Sequence, residues 1–184
     1  MRILFEIDRK DYDPNGSVCV RPSVRGVIQR DGRLAMIHSL KYDYYKFPGG
    51  GAEEGEDHIA TLIREVREES GLCVIPESIR PYGYVHRVQK GWVEDIFVQD
   101  NYYYFCDAEE MLLSQELDEY EDEERFTLEF VTAQEAVAVN RTHDHGEKAG
   151  NARFQVMIER ENRVLELLIA EQGGSCEIVE EEQK

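Results

Sequence analysis

Three glutamates stand close together in the sequence, at a spacing that gives them a shared chemistry. Glu65 comes three positions before Glu68 and four before Glu69, so on an α-helix their carboxylates occupy neighbouring positions on one side. Like charges at this spacing cost a helix roughly a few tenths of a kcal/mol per pair. A divalent cation relieves this repulsion, and carboxylate oxygens are the ligands that Mg2+ prefers. By itself the cluster is also typical of a solvent-facing helix.

The residues around the cluster have functions that fit a metal and phosphate site. Three consecutive glycines, 49–51, precede the helix, and glycine lets a carbonyl turn toward a metal or a phosphate approach the main chain. Arg64 keeps its charge and can hold a carboxylate at two points. Glu56 stands at the predicted start of the helix and is the partner that we expect for Arg64. We assign this pair an orienting function.

The helix that positions these side chains is predicted over about residues 57–70, with Gly71 ending it. We expect Glu69 at the polar edge of the buried stripe, with its carboxylate directed outward. Four apolar residues define that stripe, namely Ile59, Leu62, Ile63 and Val66.

Strand patterns surround this helix. Residues 25–38 predict a β-hairpin, because Asp31-Gly32 supplies the positive φ angles of a tight turn. β-branched and aromatic residues predict further strands, over 44–47, from Val74 onward, and over 82–88, 96–107 and 126–131. Two helices are predicted to follow, over 133–139 and from Phe154 to a point before Gly173.

The segment from Phe47 to Leu72 resembles the Nudix box. Because the pattern fixes many residue types at set distances, it is far more specific than a short glycine motif. The resemblance implies an α/β fold, specifically a Nudix-type α/β/α sandwich with a mixed β-sheet. The positions that carry it are Gly50, Glu56, Arg64, Glu65, Val66, Glu68, Glu69, Gly71 and Leu72.

The resemblance also implies a reaction, in which water attacks phosphorus and cleaves the phosphoanhydride bond of a nucleoside diphosphate linked to another moiety. The cofactor is then Mg2+, with Mn2+ able to replace it. Glu65 is our first choice for the general base, and Glu94, Asp95 and the acidic run 119–124 are alternatives. The implied metal ligands are Glu65, Glu68, Glu69 and the Gly50 carbonyl, and the implied catalytic residues are Glu56, Arg64, Glu65 and Glu69.

Composition limits the partners and the location. The chain has 184 residues and a formal net charge of −18, with 39 acidic against 21 basic residues. This charge opposes nonspecific nucleic-acid binding and favours a small-molecule nucleoside diphosphate derivative as the partner. With no apolar run long enough for a bilayer, we expect a cytoplasmic protein that does not bind membranes. We predict one domain over 1–172 and an acidic, flexible tail over 173–184, and we leave a homodimer open.

Several other motifs have less specific interpretations. Residues 11–16 begin like a calcium-binding loop, but Pro22 stands where the closing glutamate belongs, so we predict a turn. We expect surface or structural functions for His143 and His145, because no third metal ligand accompanies them. The four cysteines are widely separated and are predicted to be free thiols. Tyr42, Tyr44 and Tyr45 either stack on a nucleobase or have a structural function. Arg87 and Lys90 likewise either bind a distal phosphate of the substrate or have a structural function.

Two other functional classes fit the same fold. A non-hydrolytic sensor of a nucleotide metabolite would be favoured by gaps in the metal-binding motif, and the motif here has none. An isoprenyl diphosphate isomerase would need further acid–base and metal-binding groups, and the sequence has no clear Cys or His constellation outside the box.

Overall fold

The computed structural model describes residues 1–142 and 144–174. Its strands are β1 (Ile3–Asp8), β2 (Val18–Val20), β3 (Ser23–Val27), β4 (Gln29–Arg30), β5 (Arg33–Ser39), β6 (Tyr44–Lys46), β7 (Leu72–Val74), β8 (Arg80–Lys90), β9 (Ile96–Phe105), β10 (Ala108–Leu112) and β11 (Phe126–Val131). Its helices are α1 (His58–Ser70), α2 (Glu119–Glu123), α3 (Ala133–Thr142) and α4 (Ala152–Gly174).

The largest sheet is mixed, as expected. In it β1 runs parallel to β8, β8 runs antiparallel to β9, and β2 and β3 both run parallel to β9. A second sheet has the order β11-β5-β4, with β6 also paired to β5, and all of its pairs are antiparallel. A short antiparallel ribbon joins β7 and β10.

Helices cover both sides of these strands, because successive strand residues point to opposite faces. Val24 of β3 and Ala35 of β5 pack with Leu62 and Val66 of α1. The residues that alternate with them face α3 and α4, in a cluster that includes Val27, Leu34, Met36, Val137, Val164 and Leu165. The predicted α/β/α arrangement is therefore confirmed.

The predicted hairpin is confirmed only at its turn. Gln29 and Arg30 pair with Leu34 and Arg33 across Asp31 and Gly32, which have φ angles of 51° and 74°. The first arm was predicted to continue back to Arg25, and this was wrong. Residues 23–27 instead pair with β9 in the mixed sheet. Their side chains are mostly buried on both faces of the strand, which is typical of a strand inside a sheet covered on both sides.

The helix prediction over 57–70 is confirmed, with two corrections. Asp57 caps α1 by accepting from the backbone N–H groups of Ile59 and Ala60, and Gly71 ends it with a φ of 75°. Ile59 was predicted to be buried, but it lies in the first turn and is 38% exposed. Glu69 was predicted to face outward, but it is 2% exposed, since it continues the Leu62–Val66 stripe by one further turn.

The ends of the last two helices differ from the predicted ends by a few residues. The helix predicted over 133–139 continues to Thr142, and α4 continues to Gly174 instead of ending before Gly173. The sequence did not predict β1, β2, β10 or α2.

Cys19, Cys73 and Cys106 are free thiols, while Cys176 and the rest of the predicted tail over 175–184 lie outside the described residues. No helix in the described part of the chain is long and apolar enough to cross a membrane.

Candidate active site

The predicted metal-binding glutamates meet in one cavity of about 260 Å³, which we call the acidic cavity. Helix α1 forms one wall, the loop after β6 forms another, and the segment that leads into α2 closes the third. Seven acidic and two basic residues are among those that line it. The lining consists of Arg21, Gly51, Glu53, Arg64, Glu65, Glu68, Glu69, Glu116, Asp118 and Glu121.

The glycine loop lies against β3 and leaves no room for side chains. The Pro48 and Gly50 carbonyls accept hydrogen bonds of 2.9 Å from the N–H groups of Gly26 and Val24. Gly49 has a φ of 136°, and a Cβ there would collide with the Val24 carbonyl. A Cβ on Gly50 would collide with the carboxylate of Glu65. The loop therefore needs these glycines to bring its main chain against Glu65.

Arg64 joins several carboxylates around the cavity. It binds Glu56 at two points, with Nε 2.7 Å from Oε1 and Nη2 2.8 Å from Oε2, so the expected pairing is present. Its Nη1 also donates to Glu65 and to Glu68, at 2.9 Å in each case. The Arg64 hydrogen bonds lower the pKa of Glu56 to about 2. The guanidinium therefore neutralises much of the repulsion that the sequence pattern implied.

Glu69 is bound differently from its neighbours, in a buried ion pair with Lys46. The Lys46 ammonium lies 2.5 Å from Glu69 Oε1, and the Gly49 N–H donates to Glu69 Oε2 at 2.8 Å. Lys46 was not predicted from the sequence as a site residue. The signal for it was a single charged residue in the apolar, aromatic strand 44–47, directly before the glycine loop.

Burial shifts the acidity of two cavity glutamates. For Glu65 it raises the pKa, against the opposing influence of Arg64, Arg25 and Lys46. For Glu121 burial raises the pKa and the neighbouring Glu69 raises it further. The carboxylate of Glu121 accepts from the Tyr120 hydroxyl at 2.8 Å and from the Asp118 N–H at 3.0 Å. Both carboxyl groups are thus easier to protonate than exposed glutamates are.

Among the alternative bases, the structure brings only Glu121 into the acidic cavity. Asp95 accepts hydrogen bonds from the Ser17 N–H and hydroxyl instead, and neither it nor Glu94 lines the cavity. Glu124 is buried elsewhere and binds Tyr44 and Ser39. A sequence in which every residue of the run is acidic or aromatic could not distinguish these positions, whereas helix α2 turns Glu121 inward.

The remaining candidate ligands have structural partners. His145 directs both ring nitrogens at backbone carbonyls, 2.8 Å from Tyr42 O and 3.1 Å from Asn140 O. This leaves it no nitrogen for a metal, and His143 lies outside the described residues. Residues 11–16 form the predicted turn, in which the Gly16 N–H donates to the Asp13 carbonyl. The three tyrosines pack in the fold instead of facing the cavity, with their hydroxyls on Glu147, Glu124 and Glu129.

The cavity fits a hard divalent cation in the kind of donor that it offers. Its carboxylates are the oxygen ligands that Mg2+ and Mn2+ accept, and Glu65 lies against the main chain of Gly50. Among the described residues, no three Asp, Glu, His or Cys side chains are already gathered around one point. Arg64 occupies oxygens of Glu65 and Glu68, and therefore competes with a cation for them. The Gly50 carbonyl keeps one lone pair beside its bond from Val24.

Comparison with known proteins identifies the family. A family model described as the NUDIX domain matches residues 20–152. The chain belongs to the NUDIX domain family. Two solved structures support the α/β fold of this family. A NUDIX hydrolase from Nitrosomonas europaea is 17% identical with a TM-score of 0.51, covering 77% of this chain and 87% of that one. A MutT NUDIX hydrolase from Burkholderia pseudomallei is 16% identical with a TM-score of 0.50, covering 77% and 97%.

Curated relatives match a shorter part of this NUDIX chain. An RNA pyrophosphohydrolase from Xanthomonas campestris pv. campestris (strain B100) is 34% identical over 82 residues, which are 44% of this chain and 36% of the relative. Another from Xylella fastidiosa (strain Temecula1 / ATCC 700964) is 34% identical over 82 residues, 44% of this chain and 38% of the relative. The match thus spans little more than a third of these relatives' length.

Proposed function

We propose that this NUDIX protein is a metal-dependent hydrolase that cleaves a phosphoanhydride bond in a nucleoside diphosphate linked to another moiety. The observation that carries the proposal is the acidic cavity, where Glu65, Glu68 and Glu69 of α1 lie beside a glycine loop and opposite Glu121. Mg2+ is the proposed cofactor, and Mn2+ replaces it because both accept octahedral oxygen ligands.

Glu65 is the proposed general base. A base works best when its pKa lies near the working pH, and burial raises the pKa of Glu65 in that direction. Its carboxylate is partly enclosed, with its side chain 15% exposed, and it is fixed between Arg64 and the Gly50 main chain. It can therefore orient a water molecule and take its proton. Arg64 and Glu56 hold this arrangement, and Glu121 is a second acceptor on the opposite wall.

The metal ligands of the proposal are Glu65, Glu68, Glu69 and the Gly50 carbonyl. When bound, the cation screens the diphosphate, stabilises charge on the leaving oxygen and acidifies water. Arg21 lines the acidic cavity, and its guanidinium lies against Gly51 of the glycine loop. From that position it can hold a phosphate oxygen at two points.

We propose a small-molecule substrate in preference to RNA. The relatives are RNA pyrophosphohydrolases by name, and an RNA 5′ end also carries a phosphoanhydride. The formal net charge of −18 opposes binding of an extended phosphate backbone, which requires several Lys or Arg contacts. A small molecule needs only local cations, such as Arg21.

The test is product release over a substrate panel, measured with Mg2+ and with excess chelator. The panel contains nucleoside triphosphates, nucleotide sugars, ADP-ribose, dinucleoside polyphosphates, triphosphate-ended RNA and an isoprenyl diphosphate. We expect Mg2+-dependent release of phosphate or nucleotide monophosphate from at least one small nucleotide. Glu65→Gln should lack this activity, and Glu166→Gln, at a partly exposed position of α4 that does not line the acidic cavity, should retain it.

The panel also separates the alternatives. Tight binding of a nucleotide without turnover would favour a sensor, and rearrangement of the isoprenyl diphosphate without phosphate release would favour an isomerase. Preference for the triphosphate-ended RNA would overturn the small-molecule assignment while leaving the hydrolase class intact.

A further inference from the structure

A second cavity, of about 360 Å³, lies between strands β8 and β9 and the start of α4. We call it the basic pocket. It has no lining residue in common with the acidic cavity. Arg87, Lys148 and Arg153 line it together with Phe97, Asn151 and Phe154, and no aspartate or glutamate of the described residues does. Such a concentration of positive charge stands out in a chain whose net charge is −18.

Arg87 is the most buried cation of the pocket, at 6% exposure. Its Nε and Nη2 both donate to Gln89 Oε1, at 3.0 and 2.8 Å, and no carboxylate within the described residues pairs with it. Burial and the nearby cations Arg160, Arg153, Arg25 and Arg9 lower its pKa. A buried guanidinium surrounded by like charges is costly unless an anion joins it.

Aromatic rings hold these cations in place without neutralising them. The Arg153 guanidinium lies 4.9 Å from the centroid of the Trp92 ring and 5.8 Å from that of Phe97. Arg87 lies 5.6 Å from the same Phe97 centroid. Cation–π contacts fix the position of a guanidinium but carry no formal negative charge. The two guanidiniums are therefore positioned on one ring with their charges available.

Two further polar residues of the pocket, Lys148 and Asn151, contribute less free charge. Lys148 forms an ion pair with Glu124, outside the pocket lining. Asn151 caps α4, because its Oδ1 accepts from the N–H groups of Arg153 and Phe154 at 2.9 and 3.1 Å. The positive end of the α4 dipole thus points toward the pocket. It adds to the potential that Arg87 and Arg153 create.

We propose that the basic pocket binds a phosphoryl group through Arg87 and Arg153. A phosphoryl group carries up to two charges on several oxygens, and paired guanidiniums match that geometry with bidentate hydrogen bonds. The source is either free phosphate or a second phosphate of the substrate, and the latter case rests on the proposed function. Phosphate binding would supply the counter-ion that Arg87 lacks among the described residues.

The first experiment measures binding of inorganic phosphate by calorimetry in excess chelator, at constant ionic strength. Chelator suppresses binding in the acidic cavity, since its carboxylates repel phosphate without a bridging cation. We expect millimolar or tighter binding by the parent, and about tenfold weaker binding, roughly 1.4 kcal/mol, for Arg153→Gln. Arg153 is partly exposed, so this variant should keep its melting temperature.

The matched control is Arg163→Gln, which removes the same charge from the same helix. Arg163 stacks on Phe5, 3.8 Å from the ring centroid, and does not line the pocket. We expect it to bind phosphate as the parent does. Absence of phosphate binding by the parent, or equal binding by the parent and Arg153→Gln, would overturn the proposal. Equal weakening by both variants would also overturn it, since that indicates a general charge effect.

A second arm identifies the source of the phosphoryl group. With Mg2+, KM is compared between two sets of substrates. One set carries a phosphoryl group in addition to the phosphoanhydride that is cleaved, and the other set consists of counterparts that lack this additional group. A KM increase in Arg153→Gln for the former alone assigns the pocket to the substrate. Unchanged KM values, together with weakened phosphate binding, assign it to free phosphate. If nothing on the panel is hydrolysed, the proposed function fails, while the calorimetric result still decides the pocket.

Discussion

The Lys46 ammonium lies 2.5 Å from Glu69 Oε1, with side-chain exposures of only 9% and 2%. Lys46 ends β6 and Glu69 lies in the last turn of α1, so this ion pair joins strand to helix across the glycine loop. The Gly49 N–H completes the environment of the carboxylate at 2.8 Å. Glu69 is therefore part of the framework of the site as well as a proposed metal ligand, and this changes what its substitution should do.

We predict that Glu69→Gln destabilises the fold in addition to impairing hydrolysis. Removing one partner of a buried ion pair leaves the other charge unpaired and costs about 3–5 kcal/mol. The outward orientation predicted for this side chain from the sequence implied only a small change in stability. Urea unfolding of the single variant measures the loss, and Lys46→Met combined with Glu69→Gln should recover much of it. Additive losses in the double variant would contradict the pairing.

Glu65→Gln should remove activity and keep the fold. Its carboxylate hydrogen-bonds to Arg64, which retains Glu56 and Glu68 as partners. We expect kcat to fall by about 10²–10⁴, the usual contribution of a general base. Turnover is measured on the best panel substrate beside the melting temperature. Parent-like kcat at saturating Mg2+ would remove Glu65 from the mechanism.

Glu121→Gln tests whether the cavity wall opposite α1 takes part in hydrolysis. The side-chain oxygen of Gln can still accept from the Asp118 N–H, and the change removes a carboxyl whose pKa is raised by burial and by Glu69. We therefore expect stability equal to or above that of the parent, with reduced turnover or weaker Mg2+ dependence. Glu123→Gln, an exposed change on the same helix, is the matched control. Equal turnover in both variants would confine Glu121 to a structural function.

Gly50→Ala should weaken the site by displacing Glu65. The added Cβ would occupy the space of the Glu65 carboxylate, so we expect kcat to decrease more than thermal stability does. Gly150→Ala is the control, because a Cβ there meets nothing within 4 Å. Kinetics and melting curves of both variants are compared. If Gly50→Ala retained full turnover, the contact between Glu65 and the loop would have no catalytic importance.

Removal of divalent cations should abolish hydrolysis and leave the protein folded. The carboxylates have Arg64 and Lys46 as internal partners, so the fold does not depend on a cation for charge balance. Circular dichroism and turnover are recorded in excess chelator and after addition of Mg2+ or Mn2+. We expect recovery with either ion, and turnover that persists in chelator would refute the metal requirement.

The sequence by itself determined the local features of the site. The apolar stripe of Ile59, Leu62, Ile63 and Val66, with Gly71 as the predicted end, predicted the helix, because side-chain periodicity and capping depend on near neighbours. The family resemblance implied the fold, which the structure confirms. The Asp31-Gly32 turn was predictable for the same local reason.

Only the tertiary structure decided which distant residues complete the site. Glu69 is buried because Lys46, 23 positions earlier, supplies its counter-ion, and pairing across that distance leaves no periodic signal. The acidic run 119–124 looks uniform in sequence, yet α2 turns Glu121 toward the cavity and leaves Glu123 exposed. Arg87 and Arg153 meet at one aromatic ring because β8 and α4 pack together. Such contacts arise from packing between elements, which near-neighbour patterns do not encode.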